Sequence, residues 1–166
     1  MQRLIYILTV LALGLSCKTK EKASQSDTAK TDTVLLASIE RTPCFGKCPT
    51  YKTTVYLSGY VVYEGKQNVK NIGLFSTRLD KSKVEEIKNY IVRNKILDMN
   101  DEYKNPHIAD YPGTITEANL NNKYKHILEM DPKAPKEIKD FQNFLDSFFS
   151  DETNWTPVKS ENRPQE

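Results

Sequence analysis

Two cysteines separated by three residues, Cys44 and Cys48, sit in Thr42-Pro43-Cys44-Phe45-Gly46-Lys47-Cys48-Pro49-Thr50-Tyr51, a stiff loop with proline on both outer flanks. Three chemistries are open to such a pair. In an oxidising compartment it forms a structural disulfide, which for so short a loop stabilises by roughly 2 kcal/mol in the chain-entropy model. Its role would be local, pinning the crossover so that Tyr51 begins its strand in register. Thiol–disulfide exchange instead favours Cys-x-x-Cys at a helix N-terminus, where the dipole lowers the thiol pKa. Here Pro49 and a β-patterned run follow the second cysteine. Zinc is the third option, with His107 and His126 completing four ligands. No His-x-x-x-His pair exists in the chain, and exported thiols oxidise first. The expectation is therefore a Cys44–Cys48 disulfide with no metal and no cofactor, and an envelope redox protein using both cysteines is the alternative.

The other polar constellations are weaker. Asp110-Tyr111-Pro112-Gly113-Thr114 places an acid before an aromatic-proline turn, where it can bond local backbone amides and fix the start of the next strand. Its functional reading sets Asp110 beside the cysteine loop, lining a shallow ligand site with Arg41 and Tyr51. The Tyr111-Pro112 bond is open to the cis form. Asp98, Asn100 and Glu102 alternate like the start of a calcium loop, but Tyr103 stands at the sixth place and Ala109 at the twelfth, so the EF-hand geometry fails. There is no phosphate-binding Gly-x-x-x-x-Gly-Lys, no Gly-x-Ser-x-Gly elbow and no His-Glu-x-x-His. Glu85 and Glu86 are adjacent on a predicted helix and point apart. No catalytic residue is assigned, and the chain is expected not to be an enzyme.

Where these groups work is written at the N-terminus. Arg3 precedes an apolar run over 4–15, and Ser16 precedes Cys17. That is a charged n-region followed by an h-region too short to span a bilayer comfortably. The segment resembles a bacterial lipoprotein signal, which implies cleavage after residue 16 and a lipid, palmitate included, on Cys17. Residues 18–33 hold nothing larger and more apolar than alanine, and predict a disordered tether reaching on the order of 20 Å. The 24 basic and 22 acidic residues give a net charge of +2, so there is no bulk electrostatic attraction to nucleic acid. The expected location is the cell envelope, lipid-anchored, periplasmic or surface-facing.

The elements that must position the loop begin at Val34. Strand patterns cover 34–41, 51–58 and 60–63, with Ser58-Gly59 as a tight hairpin, and a further extended stretch lies within 69–76, bulged at Gly73. Asp80 caps a helix over 80–94 with Val84, Ile87 and Ile91 on one face, and Ser82 with Glu85 forms a second capping-box candidate. Strands over 114–120 and 123–130 join at Asn121-Asn122, which tolerate the positive φ of a two-residue hairpin. After Pro132 and Pro135 comes a helix bearing Ile138, Phe141, Leu145 and Phe148. Tyrosines 51, 56, 60, 63 and 124 fall on strands, a spacing for core or cross-strand pairing. The order strands, helix, hairpin, helix predicts one α+β domain over 34–150, with two helices on an antiparallel sheet of five to six strands. A polar tail, 151–166, follows, from which Trp155 and Val158 are expected to pack back onto the domain.

The chain resembles a bacterial domain of unknown function numbered 6438, common in envelope lipoproteins. The resemblance rests on Glu40-Arg41, Pro43-Cys44-Phe45-Gly46-x-Cys48-Pro49-x-Tyr51, the Gly59 hairpin with Tyr63-Glu64-Gly65, and Asp110-x-Pro112-x-Thr114. It covers about 34–149 and implies the domain limits and the paired cysteines, but no activity, substrate or catalytic residue. The expected role is a membrane-anchored binding or scaffolding module, its partner an envelope protein or glycan.

Overall fold

The computed structural model describes residues 33–108, 111–148 and 155–158. Alternating apolar residues generate four strands in succession, β1 (Leu35–Arg41), β2 (Thr50–Tyr56), β3 (Tyr60–Gln67) and β4 (Gly73–Arg78). Helix α1 (Lys81–Arg93), a 3-10 turn (Ile96–Asp98) and a three-residue strand β5 (Glu102–Lys104) follow. Strands β6 (Thr114–Leu120) and β7 (Lys123–Met130), helix α2 (Lys136–Ser147) and a two-residue strand β8 (Thr156–Pro157) complete the domain.

These strands form one sheet in the order β5-β7-β6-β1-β2-β3-β4-β8. The architecture is α+β with two helices, but the sheet has eight strands and is mixed, which corrects the expected five- to six-stranded antiparallel sheet. The parallel element is β5 against β7, and the additional strands are the two edges. An edge of two or three residues is too short to show a period of two. Strand β3 runs four residues beyond the expected Tyr63, and residues 68–72 form the loop that precedes β4.

Local chemistry explains the joints. Asn121 and Asn122 take φ of 54° and 62°, as a tight hairpin with its strands twisted right-handedly requires. Gly59 has φ of 83°, and a Cβ there would lie 2.6 Å from the carbonyl oxygen of Leu79, so both conformation and space demand glycine. At the start of α1 the Asp80 carboxylate accepts the N–H of Lys83 at 2.9 Å. Ser82 does not open a second box with Glu85; its hydroxyl donates to Asp80 at 2.6 Å and braces the first cap.

One sheet face is apolar and carries the helices. Ala37 and Ile39 lie opposite Val55 and Thr53 on β2 and opposite Ala118 and Thr116 on β6. Val84, Ile87 and Ile91 from α1 and Ile138, Phe141 and Leu145 from α2 close this core. Phe141 is fully buried and stacks on Tyr90 at 5.3 Å between ring centroids. The opposite face is polar: Glu117 on β6 accepts the hydroxyls of Ser38 at 2.6 Å and Tyr124 at 2.5 Å, with Lys52 at 3.9 Å. Burial works against the Glu117 charge, but these bonds and cations outweigh it and hold its pKa below the usual carboxylate range. Partial desolvation of the phenol, and then its bond to the Glu117 carboxylate, push Tyr124 up to about 12.

Trp155 reaches the domain, its ring 5.4 Å from that of Tyr63, while Pro157 pairs with Phe75 and the Val158 N–H donates to Leu74 at 2.9 Å. Tyr51, Tyr63 and Phe75 continue this aromatic row across β2, β3 and β4. No helix among the described residues is long and apolar enough to cross a membrane. Residues 1–32, with Cys17 and nearly all of the expected tether, lie outside the described residues, as does Asp110.

Candidate functional site

At the end of the helix-covered face, the apolar rows give way to a polar one. Register aligns Glu129 of β7, Thr114 of β6, Arg41 of β1 and Tyr51 of β2 across four neighbouring strands. Two residues earlier on β1, the same face carries Ile39, fully buried. The change from core to polar groups thus occurs within one period of the strand.

The last turns of α2 bring Asp146 over this row. Arg41 donates to one oxygen of Asp146 at 2.7 Å and to the Thr114 hydroxyl at 2.9 Å, and the Tyr51 hydroxyl donates to the other oxygen of Asp146 at 2.7 Å. One carboxylate therefore fixes both a guanidinium and a phenol. Burial opposes the Arg41 charge, yet the bonds and attraction from Asp146 and Tyr51 leave its pKa above its ordinary value. Burial, then the Asp146 bond, pushes the Tyr51 phenol up as well, so it remains a donor at any physiological pH.

Around these groups lies a half-open cleft of ≈ 360 Å³, walled by the cysteine loop at Cys48 and Pro49 and by the turn from Tyr111 to Thr114. The turn is tied to the loop, the Thr42 N–H and hydroxyl both donating to the Gly113 carbonyl, at 3.0 and 2.9 Å. A Cβ on Gly113 would sit 2.9 Å from the Thr42 hydroxyl oxygen, so the approach of the two loops requires glycine. Tyr111–Pro112 is trans, since no cis peptide occurs among the described residues.

Cys44 and Cys48 are joined as a disulfide with a Cα–Cα distance of 5.8 Å. The Asn68 side chain donates to the Cys48 carbonyl at 3.0 Å, which anchors the clipped loop to the β3–β4 connection. Phe45, at the tip, is 93 % exposed. Replacing both cysteines by serine is expected to lower unfolding stability by about 2 kcal/mol in a denaturant titration, from loop entropy alone. Unchanged stability would show that the prolines hold the loop without the bond. The zinc alternative finds no geometry: no group of three metal-ligating side chains gathers among the described residues, and His126 sits on the open sheet face, 3.8 Å from Glu117.

Of the residues picked from sequence as a ligand surface, Arg41 and Tyr51 do meet at this cleft beside Cys48. Two carboxylates were missed, Glu129 and Asp146. Asp146 follows Leu145 on a helix whose pattern marks only its apolar face, and Glu129 stands between Leu128 and Met130 near the end of β7, where the one signal is that it falls two residues after the buried Ile127 and so on the same face. Glu129 is nevertheless only 3 % exposed, and burial raises its pKa above the usual carboxylate range. With the folded pKa above the unfolded one, the folded state binds the extra proton, so this group lowers stability as pH rises through that window. Glu129→Gln is therefore expected to raise the melting temperature at pH 7 by a few degrees, on the order of 1 kcal/mol, and to leave it unchanged below the unfolded carboxylate pKa.

The fold and site define a small α+β module that holds a polar cleft at one end of its sheet, beside a disulfide-clipped loop. The chain belongs to the family described as a domain of unknown function, DUF6438, whose model matches residues 36–149. Among curated proteins, none matches it.

Proposed function

We propose that this protein is a cell-envelope lipoprotein, anchored through Cys17, whose domain binds an envelope ligand at the cleft without turning it over. The leader sequence and the disulfide support an exported location. The observation that carries the binding role is the joining of the preorganised cleft to an exposed Phe45 on a loop stiffened by a disulfide and two prolines. A fixed aromatic beside a walled cavity loses little entropy on meeting a partner.

Direction supports the same reading. Strand β1 starts at Leu35 and ends at Arg41, so the chain enters the sheet at the pole opposite the cysteine loop, about 20 Å away at strand rise. A lipid on Cys17 and the polar spacer 18–33 would then attach the domain at the pole opposite Phe45 and the cleft, leaving both free to meet a partner.

The test is a photoreactive phenylalanine analogue at position 45 in intact cells. A discrete adduct is expected there and none from the same analogue at Val92, equally apolar and 60 % exposed on α1. Palmitate labelling is expected in the wild type and lost in Cys17→Ala. Absence of both adduct and label would end the reading. The thiol–disulfide alternative has one observation in its favour, that Cys48 lines the cleft. A reduction potential below about −300 mV marks the bond as structural, and a distinctly more oxidising one favours that alternative.

A further inference from the structure

We infer that the cleft recognises an ammonium group, received by the Glu129 carboxylate. The inference names the ligand chemistry of the site proposed above and rests on that reading.

Glu129 is held deep in the cleft. One oxygen accepts the N–H of Asp131 at 3.1 Å, and no described residue bonds the other. That second oxygen is not sealed in the interior: the one buried side-chain oxygen without a partner among the described residues belongs to Thr53. It therefore opens toward the cleft that Glu129 lines. No described lysine, arginine or histidine forms an ion pair with it.

Of the two cations whose charge acts on Glu129, Lys139 lies outside the cleft lining and donates to the Pro132 carbonyl, and Arg41 lies within it. Arg41 divides its donors between Asp146 and Thr114, so guanidinium and carboxylate answer each other. The lining then holds one cation and two carboxylates, and the unmatched charge is the negative one on Glu129. An anionic ligand would meet both carboxylates. A neutral one would leave a buried charge without its counterpart, a costly arrangement. An ammonium supplies the counter-charge and donates directly to the free oxygen.

The walls fit the rest of such a ligand. Tyr51 and Tyr111 offer ring surfaces to a cation, and Pro49 and Pro112 offer apolar surface to its stem. A volume of ≈ 360 Å³ admits a lysine side chain with part of its backbone, or one amino sugar. Burial of Glu129 raises its pKa, which marks the strain that a bound cation would relieve.

The experiment titrates the full chain, with Cys44 and Cys48 oxidised, by calorimetry against two amines, Nα-acetyl-lysine methylamide and glucosamine. Each is paired with its N-acetylated form. At least one amine is expected to bind ten times more tightly than its acetylated partner, and which one does so distinguishes a peptide source from a glycan. Glu129→Gln is expected to weaken that amine at least tenfold while the melting temperature rises, so lost binding is not lost folding. Glu85→Gln, on the exposed face of α1, leaves the affinity unchanged. Equal binding of amine and acetylated forms overturns the ammonium assignment but keeps the cleft as a binding site. Binding of neither form overturns it too, and the adduct at position 45 then decides separately whether the domain binds a partner.

Discussion

Phe141→Ala is expected to lower unfolding stability by about 3–5 kcal/mol, more than any other single truncation in the domain. The ring is fully buried and stacks on Tyr90, while Tyr90 in turn stacks on Phe144 at 4.6 Å and Phe144 meets Phe148 edge-on at 4.7 Å. Removing it leaves a cavity between α1 and α2 that only partial collapse can fill. It also loosens the hold of α2, the helix that carries Asp146 to the cleft. For a domain whose whole stability is on the order of 5–15 kcal/mol, this removes from about a fifth to all of the margin. Thermal melting followed by near-ultraviolet circular dichroism measures it, and Phe141→Leu should recover more than half the loss. A loss below about 1 kcal/mol would mean that the two helices are held by something other than this aromatic stack.

What the sequence displayed and what it concealed divide along physical lines. Long elements were legible because periodicity accumulates: both helices, the five longest antiparallel strands in outline and the Asn121-Asn122 hairpin show their pattern in the residues themselves. Strands β5 and β8 were not, since three and two residues join the sheet through tertiary pairing and leave no alternation to read. The start of β4 was misplaced because Val69 and Ile72 are apolar residues in a loop, with Ile72 59 % exposed. At the cleft, Arg41 and Tyr51 could be picked out because they flank the cysteine loop in sequence. Asp146, about a hundred residues later, is joined to them only by folding. A carboxylate on a helix whose other positions outside the apolar stripe are also polar carries no mark of its partner. The nearest signal was positional: Asp146 directly follows Leu145 at the edge of the buried stripe, where a polar side chain can reach the sheet.

That concealed carboxylate gives the second large effect. Asp146→Ala removes the acceptor of both Arg41 and Tyr51, and is expected to cost about 2–3 kcal/mol. The figure lies below that of breaking a fully buried pair, because the side chains of Arg41 and Asp146 are 26 % and 28 % exposed and water recovers part of the loss. The loss should not divide equally between the two partners. Tyr51→Phe deletes a neutral donor and leaves the guanidinium bond in place, so it is expected to cost only about 1 kcal/mol. Arg41→Met deletes the charge and leaves Asp146 bonded by Tyr51 alone. A double-mutant cycle between positions 41 and 146 then isolates the ion pair, with a coupling on the order of 1–2 kcal/mol, falling in high salt. Additivity within about 0.3 kcal/mol would show that Arg41 and Asp146 act independently. The polar row at the end of the sheet would then lack the fixed geometry on which a preformed cleft depends.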